Sequence, residues 1–161
     1  QNKKMPQTRR HIRIKVMQIL YAQSMNGDPI EMVMRDLLSD VEDKENKQFA
    51  EDLIHYILDN LAMIEEIVDK KVENWEAERM AYLDKVILKI GVAELLNFPE
   101  IPPKVTINEA IEIAKDFSSK SSGKFVNGVL DAILEDLKKE DKLNKTGRGL
   151  LNLEKKGGSK K

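Results

Sequence analysis

Apolar residues recur at helical spacing along most of the chain, and no pair of segments has the alternating pattern of β-strands. Between Thr8 and Asn26, the residues Ile12, Val16, Ile19 and Leu20 fall on one helix face. Further periodic segments follow, separated by breakers such as "NGDP", where Asp28 can cap a helix that begins at Pro29, and "FPEIPPK". We therefore predict an all-α fold of about seven helices in two packed small bundles.

The charge pattern separates two basic ends from an acidic body. Residues 1–27 carry six Lys or Arg and no acid, and residues 142–161 carry seven against one Glu. The segment between them has a net charge of −13, although the whole chain has −1. Basic ends suit a polyanion and an acidic body suits a cationic partner, although Lys-rich termini can also serve only solubility.

Composition and charge also predict the domain limits. The expected divisions are a flexible basic N-terminus at 1–8, one helical domain at 9–140 and a disordered basic tail at 141–161. Within the helical domain we expect an N-terminal bundle over about 9–72 and a C-terminal bundle over about 73–140.

The residues that carry chemistry in enzymes are sparse and poorly spaced. The chain has no Cys, and its two histidines, His11 and His55, lie in no nucleophile–base or metal-ligand spacing. The run "SSKSSGKF" lacks the first Gly of a P-loop, and no apolar run approaches the length of a membrane span. We predict a cytoplasmic protein that is not an enzyme and holds no cofactor or metal.

The first helix carries a candidate RNA-binding face. Arg9, Arg10 and Arg13 fall within an arc of roughly 100°, and Tyr21 lies beside that arc. Arginine can fork onto phosphate and an exposed aromatic ring can stack on a base, which together suit single-stranded RNA. The same residues could instead form a solvated face or a helix lying on a membrane surface, and Tyr21 could belong to the core.

Two local patterns give further expectations near the C-terminus. Thr106 and Glu109 form the capping-box pattern T-x-x-E, which predicts a helix start at Thr106. The loop 118–123 should lead into a last helix, "KFVNGVLDAIL", in which Gly128 lets another helix approach closely. Asn127 should satisfy backbone groups of that loop or simply be exposed. Lys124 and the preceding amides could hold a phosphate.

Three segments resemble the NusB family of transcription antitermination factors: "IRIKVMQILYAQ", "VILKIGVAELL" and "PPKVTINEAIEIAKDFSSKSSGKFVNGVLDAI". The resemblance runs from about Arg9 to Leu137. It implies a non-enzymatic, all-helical factor that pairs with NusE, a small-subunit ribosomal protein, and binds boxA-type sites in nascent RNA. It also implies membership of the RNA polymerase antitermination complex that reads through ribosomal RNA operons. Free members of the family include homodimers.

The resemblance also implies roles for individual residues. The RNA-binding residues would be Arg9, Arg10, Arg13, Tyr21, Lys89, Lys120 and Lys124, with His11 standing where some relatives have another Arg. The NusE-binding residues would be Tyr21, Asp84 and Phe125. Two alternative functions are also open: a stand-alone relative of the N-terminal domain of ribosomal RNA cytosine methyltransferases, and a ribosome-assembly factor, which would use the same residues.

Overall fold

The computed structural model describes residues 7–73, 75 and 80–153. These residues form seven α-helices and one short 3₁₀ helix, and no β-strand is found among them. The α-helices are α1 (Arg9–Asn26), α2 (Ile30–Leu37), α3 (Lys44–Asp59), α4 (Leu61–Glu73), α5 (Tyr82–Asn97), α6 (Pro103–Phe117) and α7 (Lys120–Lys139). The all-α prediction of about seven helices is confirmed. The predicted flexible segment 1–8 lies outside the described residues except for Gln7 and Thr8.

The first helix begins and ends as the sequence predicts. The Thr8 side chain accepts a hydrogen bond from the His11 backbone N–H, and Gly27 ends α1 with a φ of 72°. A positive φ costs Gly little, which explains the breaker at this position. The next helix begins one residue later than predicted, because Pro29 rather than Asp28 occupies the N-cap position of α2.

Helix α5 lies at the centre of the molecule and is buried on nearly all sides. It packs against α1, α3, α4, α6 and α7. Its sequence "VILKIGVAELL" is apolar on all sides apart from the buried Lys89 and Glu94, which is the pattern of a helix without a solvent face. One continuous core therefore includes residues from all seven α-helices. The division into two bundles near residue 72 stays a prediction, since α4 packs mainly on α5 and α7.

The predicted capping box at Thr106 is wrong. Helix α6 begins three residues earlier, with Pro102 at the N-cap and Pro103 in the first turn, where proline needs no N–H partner. Thr106 is instead buried in the helix and donates its hydroxyl to Glu94 at 2.8 Å. Glu109 points to α1, as described below.

Helix α7 also begins earlier than the sequence predicts. Ser119 caps it by accepting a hydrogen bond from the Ser122 N–H, so the expected loop 118–123 is mostly the first turn of the helix. Asn127 is exposed, in agreement with the simpler of the two expectations. A Cβ on Gly128 would lie 2.1 Å from the Trp75 ring, so Gly128 accommodates an indole and not a second helix.

The segment after α7 is not a disordered tail over its whole length. Residues 141–153 fold back over the end of α5, and we call this segment the C-terminal strap. Lys145 is buried, and its ammonium group donates to the backbone oxygens of Glu94 and Phe98 at 3.1 and 2.8 Å. Thr146 N–H donates to the Pro99 oxygen. Residues 154–161 of the predicted tail lie outside the described part.

Candidate nucleic-acid and partner interface

The start of α1 is fixed to the segment before α3. The Gln7 side chain donates to the Asp40 backbone oxygen at 2.7 Å and accepts from the Glu42 N–H at 3.1 Å. The Asn46 amide donates to the Gln7 backbone oxygen at 2.9 Å. The arginines that follow therefore project from an anchored helix terminus.

Arg9 is exposed and lies on an aromatic ring. Its guanidinium carbon is 4.1 Å from the centroid of Phe49, and its Nε donates to the Asn46 side-chain oxygen at 3.3 Å. At this distance the positive guanidinium is attracted to the face of the Phe49 ring by a cation–π contact. The described contacts of Arg9 are thus with uncharged groups, which leaves its positive charge uncompensated by a direct ion pair among the described residues.

Arg10 is exposed but forms an ion pair. Its Nε and Nη2 donate to the two carboxylate oxygens of Glu109 at 2.8 and 2.9 Å. This two-point contact joins α1 to α6 and raises the pKa of Arg10 above its usual value, chiefly through the hydrogen bond to Glu109. The same contact holds the pKa of Glu109 below its usual range.

The structure contradicts the expected RNA contact by Arg13. This side chain is buried, at 3% exposure, and its Nε and Nη2 donate to both oxygens of Glu94 at 2.6 and 2.8 Å. Glu94 also accepts from Thr106, so one carboxylate joins α1, α5 and α6. Periodicity placed Arg13 near Arg9 and Arg10 but could not reveal a partner 81 residues away. Arg13 holds the scaffold together.

Lys89 is likewise unavailable as a surface cation. Its ammonium group is buried, pairs with Glu65 at 3.1 Å, and lies 5.9 Å from the Tyr82 ring centroid. An RNA phosphate could reach it only by displacing Glu65 from the interface between α4 and α5. The expected direct RNA contact by Lys89 is therefore corrected: the side chain packs between α4 and α5, beside Tyr82.

Tyr21 lies at the far end of α1 and is partly exposed, at 39%. Twelve residues separate it from Arg9, which corresponds to roughly 18 Å along a helix. Its ring contacts Tyr82 at a centroid distance of 5.8 Å, so the first helix meets the start of α5 here. Tyr82 was not predicted to be a site residue, because its position in the helical pattern is also that of a core residue.

Asp84 and Phe125 line one cavity of about 300 Å³ between α5 and the start of α7. Asp84 is 5% exposed, and its Oδ2 accepts from the Ser122 hydroxyl at 2.8 Å. Its Oδ1 is buried without a hydrogen-bond partner among the described residues. A buried oxygen without a hydrogen-bond partner is costly to the fold. The cavity walls include Met80, Ala81, Ser118, Ser119 and Ser121.

Trp75 adds a second aromatic ring beside Phe125, next to this cavity. Its ring meets Phe125 edge to face at a centroid distance of 6.3 Å and lies over Gly128. It remains 44% exposed. The conspicuous Gly within "KFVNGV" was the sequence signal for this contact, but the sequence did not identify its partner.

Lys120 and Lys124 are exposed in the first two turns of α7, beside the serines that line the cavity. The structure therefore brings Asp84 and Phe125 together at one cavity, with Lys120 and Lys124 beside its serines, whereas Tyr21 lies against Tyr82 at the start of α5. Arg9 and Arg10 form a second cationic area near the start of α1. The predicted roles of these residues stay predictions.

The described residues contain neither a cluster of metal-ligating side chains nor a membrane-spanning helix. No group of three or more His, Cys, Asp or Glu side chains there could hold a metal ion. No helix in this part of the chain is both long enough and apolar enough to cross a bilayer.

Comparison with known proteins identifies the family. The model of the NusB family matches residues 10–135. The transcription antitermination protein NusB of Salinibacter ruber is 44% identical over 91% of this chain and 93% of its own length. A structure of T. maritima NusB has a TM-score of 0.74 and 36% identity, covering 83% of this chain and 94% of the other.

A chain from a crystal structure of antitermination factors NusB and NusE with dsRNA has the same fold. Its TM-score is 0.72 at 24% identity, covering 82% of this chain and 99% of the other. The family consists of non-enzymatic transcription antitermination factors, which confirms the prediction that the chain is not an enzyme. The extent of the family match and the identity to its members together show that the chain belongs to the NusB family.

Proposed function

We propose that this NusB protein binds single-stranded, boxA-type RNA together with NusE and, within the RNA polymerase antitermination complex, supports transcription of ribosomal RNA operons in the cytoplasm. The observation that carries the proposal is family membership, with curated relatives named for transcription antitermination at 40% to 44% identity. The chemistry of the two surface areas described above supports it.

The RNA-binding face would be formed by Arg9 and Arg10, with Lys120, Lys124 and Tyr21 as outer contacts. The Arg9 guanidinium is held over the Phe49 ring and by Asn46, so ordering it costs less additional entropy when a phosphate binds. Such phosphate contacts supply affinity, whereas an exposed ring such as Tyr21 can stack on an unpaired base.

The NusE-binding face would be the area around Asp84, Tyr21 and Phe125. Asp84 is buried beneath this face and would act by holding Ser122 at the start of α7, whose hydroxyl donates to it, and not by direct contact with the partner. The half-exposed rings around Asp84 offer apolar contact area, which is typical of the central part of a protein interface. The net negative charge of residues 28–141 would attract a basic ribosomal protein to this body.

The proposal is tested by a gel-shift titration of boxA and scrambled RNA with this protein, with and without NusE. We expect tight binding only to boxA and only when both proteins are present. A read-through assay on a terminated template then separates antitermination from a role in ribosome assembly, which would use the same RNA-binding residues. Equal affinity for boxA and scrambled RNA in the presence of NusE would contradict the proposed specificity.

A further inference from the structure

The ion pair between Arg10 and Glu109 has the same shape as an arginine–phosphate contact. Both carboxylate oxygens meet the guanidinium edge, at 2.8 and 2.9 Å. Arginine presents this fork of N–H groups equally well to a carboxylate and to a phosphate. Glu109 therefore occupies the edge of Arg10 that an RNA phosphate would use.

The pair is exposed enough to exchange. The Arg10 side chain is 43% exposed and the Glu109 side chain 20%. Water and salt screen an ion pair at this degree of exposure, so its carboxylate can be exchanged for another anion. An RNA phosphate arriving on the same face can therefore take the place of the carboxylate.

The fold does not depend on this pair to join α1 to α6. The buried Arg13–Glu94 pair, with Thr106 bonded to the same carboxylate, already connects these two helices through α5. The Arg10–Glu109 contact is thus an additional surface contact between two helices that buried side chains already join. It lies on the surface that the proposed function assigns to RNA. Its loss should leave the position of α1 unchanged.

We propose that Glu109 is an internal competitor of RNA phosphate for Arg10 and so sets the affinity of the RNA-binding face. Arg10 can bind a phosphate only after Glu109 is displaced. Arg9, whose described contacts are with Phe49 and Asn46, can bind a phosphate without displacing a carboxylate among them. This inference rests on the proposed function, because it concerns how that same face is regulated.

The test compares the affinity of five variants for labelled boxA RNA in the presence of NusE. Glu109→Gln should bind about twofold to fivefold more tightly than the unaltered protein, since it releases Arg10 from an exposed pair. Glu112→Gln is the charge control, because it removes the same charge from α6, while Glu112 pairs with Lys115 and acts on Arg10 only through its charge, without a hydrogen bond. Its affinity should change by less than about twofold.

Two further variants show whether the gain passes through Arg10. In the double variant Arg10→Ala/Glu109→Gln, the affinity should equal that of Arg10→Ala alone, because the released side chain is absent. A gain that persists without Arg10 would overturn the inference. Glu109→Asp retains the charge but withdraws the carboxylate by one methylene, and it should also bind RNA more tightly. It replaces Glu109→Gln if that variant folds poorly.

The outcomes distinguish this inference from the proposed function. Specific binding by the unaltered protein with an unchanged Kd in Glu109→Gln would overturn the competition and leave the function standing. Absence of RNA binding by every variant would overturn both. Binding by Glu109→Gln alone would support the competition in its strongest form.

Discussion

Single residues decide which charges of α1 can meet a ligand. Arg9, Arg10 and Arg13 are three residues of one type within five positions, yet their partners are an aromatic ring, an exposed carboxylate and a buried carboxylate. A buried charge must be paired, so Arg13 is committed to Glu94. Exposed charges can change partners, so of these three arginines only Arg9 and Arg10 remain candidates for RNA contact.

Replacing Arg13 should affect stability more than RNA contact. Arg13→Met keeps most of the side-chain volume but leaves Glu94 buried with a weaker set of donors, at a cost of about 3 kcal/mol in the free energy of unfolding. Urea denaturation followed by circular dichroism measures this loss. Arg9→Met, at an exposed position, should change the free energy by less than about 0.5 kcal/mol. Equal, small effects of both variants would show that the buried pair is unimportant.

The contact between Gly128 and the single tryptophan of the chain, Trp75, can be tested by tryptophan fluorescence. In Gly128→Ala, the new methyl group would overlap the Trp75 ring, so the indole must move towards water and its emission should shift to longer wavelength. The better helix propensity of Ala, about 1 kcal/mol, offsets much of the lost packing. The net change in the free energy of unfolding should therefore be small.

The matched control is Gly123→Ala on the same helix. The added methyl group there would meet the flexible side chain of Lys115 and not the indole, so the emission of Trp75 should stay unchanged. Identical spectra for Gly128→Ala and the unaltered protein would contradict the described packing.

At the scale of elements, the C-terminal strap closes one end of α5. The Lys145 ammonium donates to two backbone oxygens at this end, each of which also accepts a hydrogen bond from a backbone N–H. Gly149 lies against the backbone oxygen of Pro99, where a Cβ would be only 1.8 Å away. The strap is thus packed by its backbone as well as by its lysine.

Lys145 gives the strap a predictable dependence on pH. Burial lowers the pKa of this residue from 10.5 to about 8. Between these values the unfolded chain binds more protons than the folded one, so this group makes the free energy of unfolding rise with pH. From about pH 7 to about pH 10, the unaltered protein should gain roughly 2 kcal/mol relative to Lys145→Met.

Urea denaturation at several pH values measures this difference. Lys142→Met is the control, because Lys142 is exposed and pairs only with nearby Glu140 among the described contacts. It should show the same pH dependence as the unaltered protein. A parallel pH dependence of the unaltered protein and Lys145→Met would refute the assigned pKa shift.

At the scale of the whole molecule, sequence periodicity predicted the helices but not their connections. The order and number of α-helices follow from apolar spacing, which a helix must satisfy wherever it packs. The starts of α6 and α7 were missed because Pro103 and the serines near Ser119 suit both a loop and a first helical turn. The packing of 141–153 was missed because its Lys and Gly content resembles that of disordered chains.

The candidate site was predictable only in part, for a related reason. Residue type and helical position identified Arg9, Arg10 and the aromatic Tyr21 as surface groups. The partners that bury Arg13 and Lys89, or that neutralise Arg10, are 81, 24 and 99 residues away. Such contacts depend on the packed fold and leave no local pattern in the sequence.

The central claim is that Arg9 and Arg10, but not Arg13, meet the RNA backbone. The most direct test is the dependence of boxA RNA affinity on salt concentration, measured with NusE present. Each phosphate neutralised on a single strand contributes about −0.7 to the log–log slope. The Arg9→Ala/Arg10→Ala variant should therefore reduce the magnitude of the slope by up to about 1.4. Arg13→Met, measured where it is folded, should keep the slope of the unaltered protein. An unchanged slope in the double variant, or a reduced slope in Arg13→Met, would contradict the account.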